Sequence, residues 1–540
     1  MRTFVAAIAV GVSFFFVGIQ NSYFSEEEEP QQPIQICSSR GDLTLEETTL
    51  LELEESVKTL SQTFAHYIRG VLFDSEKKID RAIKEYAAAK ELDPSVPIIH
   101  KRLAIDYLRA SKYKEAEEEL NIVKELTPQD SSVRKFLADF YTVQKDFAKA
   151  AAEYEELLQL DPEDLETLAA LADLYVIEEQ FEKAIEIYQT IIGKKPGSAQ
   201  VFFNLGIIYT RMNNLPEAEA NFKKALELDP EYLQAELALA LVSEINQNLP
   251  EAIKHYESAL KIDPLNINVY HRLAQSYYRE NRVEDAVNQY SFILKLNPYD
   301  VDAYLGLAYL YLNEKQYAQG IKVLEEALAE KEQWRQTVDV EFLPEEKIQK
   351  LKNLKEAQAY LLLGMAHAQS EQDDLALAAY KKAVEIEPES AAGYFYLGAL
   401  YERKDEREKA YTALKKSVEL DQTNADAMNY LGYMYSEDGI KLDEAQTLIE
   451  KALEIDPENG AYIDSLGWVY FKQGKLDDAL VNVQKATELL KDAEVFEHLG
   501  DIYELKGEYE KAKEAWQKTL ELDPKRETAQ KKLDTLQKKR

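Results

Sequence analysis

Cysteine is nearly absent from this chain. Cys37 is the only one in 540 residues, so no disulfide can form within it. Histidine is also scarce: His66, His100, His255, His271, His367 and His498 are all there are. None lies in an H-E-x-x-H motif, and no two are spaced to share a metal on one helix. The sequence has no phosphate-binding G-x-x-x-x-G-K-[ST], no G-x-S-x-G elbow and no dinucleotide fingerprint. Carboxylates are so abundant that pairs of them carry no signal. The expectation is a protein without catalytic residues, metal or cofactor. Cations are in deficit as well, with 64 Lys and Arg against 99 Asp and Glu and a net charge of −35. That balance argues against nucleic-acid partners, whose phosphates need neutralising, and against adsorption to an anionic membrane surface. The excess acid solvates exposed helix faces and favours basic partners.

Proline and glycine are few, at 16 and 19, and their placement is informative. Proline stands at 94, 128, 162, 196, 230, 264 and 298, every 34 residues. Each follows a helix-ending stretch such as Glu227-Leu228-Asp229. Proline cannot continue a helix and pushes its predecessor out of the helical region, so it resets the chain between units. A fixed period of this length marks a stack of repeats. The unit ending at Pro230 carries Phe202, Leu205, Gly206, Tyr209, Ala218, Phe222 and Ala225 at offsets 4, 7, 8, 11, 20, 24 and 27. Offsets 4, 7 and 11 share one face of a first helix, A, and offsets 20, 24 and 27 share one face of a second, B. The small residues at offsets 8 and 20 let the two helices approach closely. Most of the 34 tyrosines fall at offsets 4, 11 and 24 and are expected in the core.

By these offsets the chain resembles the tetratricopeptide repeat family. The resemblance implies an all-α fold, a right-handed superhelix (α-solenoid) of about thirteen helix–turn–helix units. Eight are expected over 63–330 and five over 357–526, with an insertion at 331–356 between them. The insertion is the one candidate hinge, and it is visible as 90 residues from Pro298 to Pro388 where two repeats need 68. Residues 527–540 read as a capping helix over the last apolar flank.

The N-terminus lies outside the repeats. Arg2 precedes an apolar run from Phe4 to Ile19, followed by the acidic Glu26–Glu29. A basic start and an apolar stretch read as a signal peptide or a short membrane anchor over 1–25. Residues 26–62 read as an acidic linker and lead-in helix. Under either reading Arg2 stays cytoplasmic and the repeats are exported; the alternative is a cytoplasmic protein with a greasy end. Cys37 lacks the small preceding residue that lipidation needs and lies well past the apolar run, so it reads as an unpaired linker thiol.

Binding is expected on the helix-A face, which the family uses at offsets 2, 5, 9 and 12. Early repeats place Lys101 and Lys135 there, with Asp139 and Asp173. Later ones place Phe203, Ile207, His271, Tyr278, Tyr309, Leu312, Leu361, Met365, Phe395, Tyr433, Trp468 and Phe471. The face thus changes from charged to aromatic along the chain, and aromatic anchors suit peptide capture. Two family subsites are missing. Ile105 stands where a carboxylate clamp beginning at Lys101 needs asparagine, and an asparagine ladder begun at Asn204 fails at Ala238, Arg272 and Gly306. The stretch Asn429–Ala479 is similar to the C-terminal repeats of bacterial envelope tetratricopeptide proteins. That resemblance implies an exported or tethered scaffold for assembling an envelope complex, with protein partners. The alternative is a regulatory or targeting subunit of an enzyme whose catalytic chain is separate.

Overall fold

The computed structural model describes residues 47–337 and 343–538. Among them lie twenty-eight α-helices and no strand. Residues 1–25, Cys37 and the Val338-Asp339-Val340 run of the insertion fall outside the described residues.

The 34-residue period resolves into a 13-residue helix A and a 14-residue helix B. The unit Ala199–Arg211 (α9) and Leu215–Leu228 (α10) is representative. The B-to-A turn is built at the residue before each proline, most often an aspartate. Asp229 sits in extended backbone, where the following Pro230 holds it, and its carboxylate accepts from the Glu231 N–H at 3.1 Å. Two residues past the proline position, or one in the case of Asp492, a short polar side chain often caps the next helix A. Asp130, Asp164, Asn266, Asp300, Ser390, Asn424, Asn459 and Asp492 each accept from an otherwise orphaned N–H. The A-to-B turn is different. One residue there takes the left-handed conformation, recurring at 77, 111, 145, 179, 213, 247, 281 and 315, and again at 371 and 405. In that turn the Lys112 N–H returns to the Tyr107 carbonyl at 2.8 Å and closes helix A.

The close approach of A to B rests on offset 8. A side chain on Gly206 would overlap the Phe222 ring, and one on Gly364 the Tyr380 ring. Ala218, facing this contact, has no exposed surface. Large B-helix aromatics, Tyr86, Tyr188, Tyr256, Phe222 and Trp516, are fully buried between the helices.

The chain forms two compact units, up to Ile262 and from Asp263 onward, so the division does not fall at the insertion. In the first unit, helices from α3 (Pro97–Arg109) to α9 share a continuous core running from Ala104 to Ile208. Its first helix, α1 (Glu47–Ser75), is 29 residues long and begins well before the first repeat offset at 63. In the second unit the insertion is folded onto the repeats. A short helix, α17 (Lys331–Thr337), buries Trp334 completely, and its indole N–H donates to the Ala327 carbonyl at 2.8 Å. Lys331 and Arg335 both reach the buried Glu356. The charged half of the insertion runs without a break into helix A of the ninth repeat as α18 (Glu345–Gln369). At the end, α28 (Glu527–Lys538) buries Ala529, Leu533 and Leu536 against the cluster that holds Trp516.

Candidate protein-interaction face

Helix A offers its offset 5, 9 and 12 residues in succession, because every unit repeats the same pair of turns. The structure sorts the candidate residues into those that remain open and those engaged within the array. In the first unit Lys101 is exposed on α3. Lys135 pairs with Glu166 at 2.6 Å, the two joining neighbouring repeats. Phe203 is half-buried, its ring 5.5 Å from Phe222 and 5.1 Å from Tyr232, and Ile207 packs on the same cluster. Asp139 accepts from the Tyr154 hydroxyl at 2.7 Å, and Asp173 accepts from Tyr188. Burial raises the Asp173 pKa, against the hydrogen bond from Tyr188. These aspartates therefore satisfy B-helix tyrosines.

In the second unit, His271 on α13 (Ile267–Arg279) bonds Asp300 at 3.1 Å and lies edge-on to Tyr290. Burial would raise the Asp300 carboxyl, but the hydrogen bond from His271 and the Ala303 N–H hold it below its usual value. Tyr309 on α15 (Val301–Asn313) is the most open aromatic of the set, 49% exposed, and meets Tyr278 edge-on at 5.9 Å. The Asn313 amide donates to the Tyr278 hydroxyl at 2.6 Å, which fixes that ring beside Tyr309. Leu312 covers Gly320 of the following helix. Tyr278, Tyr309 and Asn313 thus form a polar-edged aromatic step joining adjacent A helices, open to solvent at Tyr309. Leu361, Met365 and Phe395 are half-buried and pack on the core around Leu397. Phe395 also lies edge-on to Tyr430 at 5.9 Å.

The final A helices hold a denser arrangement. Trp468 on α24 (Gly460–Lys472) is only 7% exposed. It stacks on Phe471 at 4.6 Å and on His498 at 3.9 Å, and donates its indole N–H to Glu437. His498 on α26 (Ala493–Leu505) bonds Asp464 at 2.9 Å. Burial alone would lower the His498 pKa, yet the Asp464 carboxylate, with Glu494 and Asp501 nearby, holds it above the ordinary value. Tyr433 donates to Glu494 at 2.8 Å, two repeats further on. Sequence offsets found Tyr433, Trp468 and Phe471 but not His498, Asp464, Glu437 and Glu494. Asp464 shares α24 with Trp468 and Phe471, whereas Glu437, Glu494 and His498 belong to other helices and are brought to the site by the fold.

No group of three His, Cys, Asp or Glu among the described residues is placed to hold a metal ion. No helix among them is long and apolar enough to cross a membrane.

Comparison with known protein families agrees with this architecture. Tetratricopeptide repeat patterns match residues 101–164, 203–267 and 271–333, and others of the same repeat match 166–231, 391–424, 413–447 and 493–526. A further TPR repeat pattern matches 364–405. No curated protein sequence matches the chain. Among solved structures it is similar to the APC/C hetero-tetramer Cut9-Hcn1, at 16% identity and a TM-score of 0.40, over 90% of this chain and 99% of that one. The Naa15/Naa10 structure bound to HypK-THB aligns at 16% identity and 0.34, over 88% and 77%. MamA aligns at 23% identity and 0.27, over 34% and 95%. By its repeat length, its paired helices and these repeated matches along its length, the chain belongs to the tetratricopeptide repeat family.

Proposed function

We propose that this chain is a non-catalytic scaffold that captures a peptide or helical segment of another protein on its helix-A face. A stack of repeats buries each unit only against its neighbours and leaves one long side for binding. The observation that carries the reading is the step at Tyr278, Tyr309 and Asn313. An aromatic ring half open to solvent, braced by a second ring and an amide, is a preorganised anchor site. In the first unit the exposed Lys101 would steer an acidic segment to that unit's own helix-A face. We further propose that residues 1–25 export the repeats and tether them, so that the captured partner belongs to an envelope assembly. Support for this part is the basic-then-apolar order of the N-terminus and the resemblance of Asn429–Ala479.

Co-purification from the native cell tests the scaffold reading. One protein should dominate the eluate of the full chain, and Tyr309→Ala should lower its recovery at least tenfold with helicity unchanged. An unaltered eluate would remove the Tyr309 step from the binding face.

A further inference from the structure

The first helix carries an apolar face that no part of the described repeats covers. Helix α1 packs on its neighbour α2 (Ile79–Leu92) through Thr63, Tyr67, Gly70 and Val71. About a quarter-turn around the same helix stand Leu53, Val57, Leu60 and Phe64, each 58–64% exposed, with Ile68 and Leu72 continuing the stripe. The spacing of the first four is 4, 3, 4, the a/d alternation of a coiled-coil seam, and Leu50 extends it in sequence. Residues 47–62 reach about 24 Å beyond the first repeat. An isolated helix of that length is marginal in water. The far end of the array differs: there α28 buries its apolar side against the last repeat.

We infer that this seam pairs with the same seam of a second copy, antiparallel, to form a two-fold dimer. Charge selects the occupant and the direction. Residues 47–57 carry four glutamates and no cation, whereas residues 58–73 carry Lys58 and Arg69 and no carboxylate, with Glu85 of α2 already 2.7 Å from His66 and 3.5 Å from Arg69. Antiparallel pairing sets the acidic half of each helix beside the carboxylate-free half of the other, where a parallel pair would set four glutamates against four. The edges of the seam are lined by Ser56 and Ser61, with Glu54 the single acid, so no like charges are forced together. A parallel pair would lay two chains of net charge −35 side by side. The antiparallel pair directs the repeats to opposite ends, separated by more than the roughly 8 Å Debye length of physiological salt. In register, Val57 of one copy lies opposite Leu60 of the other, and Leu53 opposite Phe64. Such a contact is isologous and closed, so it stops at two copies.

Light scattering on the full chain tests this at micromolar concentration. The expected mass is twice the 61.9 kDa of one chain, falling to one chain in Leu53→Glu/Leu60→Glu. Both side chains lie outside the packed face, so circular dichroism of the variant should keep the helicity of the repeats and lose at most that of residues 47–62. A monomeric wild type overturns the inference, and means that the stripe is covered by residues 1–46 or by another protein. A dimer or larger species that survives Leu53→Glu/Leu60→Glu overturns it equally.

Discussion

Substituting two glycines with alanine should move stability in opposite directions, because only one of them sits at a helix–helix contact. Gly500 lies at the offset-8 approach in α26. A methyl group there would stand 2.9 Å from Trp516 Cε2 and nearer still to Cδ1 and Nε1, where ordinary carbon contacts are about 3.5–4.0 Å. The indole cannot withdraw easily. Trp516 has no exposed surface, and its N–H is tied to Asp501 at 3.0 Å. Overpacking of this kind costs about 1–3 kcal/mol, and the better helix propensity of alanine returns at most about 1 kcal/mol. Gly500→Ala should therefore destabilise the last repeats by about 1–2 kcal/mol. Gly193, near the end of α8 (Phe181–Lys194), has no atom within 4 Å of where its Cβ would stand, its own helix backbone aside. Gly193→Ala should gain about 0.5–1 kcal/mol. Hydrogen exchange is the right assay, since coupling in a stack is between neighbours and one global transition is not assured. Protection should fall in α26 and α27 (Tyr509–Leu522) for Gly500→Ala and rise around α8 for Gly193→Ala. Equal protection in both variants, or a gain in Gly500→Ala, would refute the close-contact reasoning.

Three further outcomes follow from the same structure. The raised pKa of His498 means that its protonated form is favoured by folding; the stability this contributes is complete below about pH 6.5, the unfolded value, and is lost as pH climbs through the folded one. The urea midpoint read by tryptophan fluorescence should thus drop on the alkaline side, and His498→Gln should flatten that dependence. Trp468→Ala should cost about 3–5 kcal/mol and loosen the C-terminal repeats, as for other buried aromatics, whereas Tyr309→Ala should change stability by under about 0.5 kcal/mol; the two melting curves decide whether each residue is core or surface. Deleting residues 1–25 should convert a membrane-fraction or exported protein into a soluble cytoplasmic one on fractionation, and full-length protein already soluble in the cytoplasm would reject the export proposal.

The fold was legible because proline and aspartate punctuate one of the two turns. Asp229-Pro230 announces where helix B ends, through an extended residue and a missing N–H. The other turn was silent. Its left-handed residue is Lys, Ser, Glu, Asn, Gln or Asp in most repeats and glycine only late, at Gly439, Gly474 and Gly507. Backbone hydrogen bonds on both sides hold the conformation there, so no residue type signals it. Helix ends were also hidden at 47 and 345. The repeat ruler counts turns, and it is blind to a first helix that starts early. On the binding face the offsets located residues but not their exposure. Tyr309 and Trp468 share offset 9, yet one is half open and the other closed. The difference comes from His498 and Glu437, which lie on other helices, the first stacked on the Trp468 ring and the second accepting its N–H.

We propose that a protein segment docks on the A helices. A photo-crosslinking amino acid placed at Tyr309 tests it directly, with Lys322 on α16 (Tyr317–Ala329) as the control, since its side chain is 77% exposed on a B helix. Irradiation of the full chain in its native cell should give one dominant protein adduct from position 309 and none from 322. Adducts of equal yield from both positions, or from 322 alone, would contradict the account.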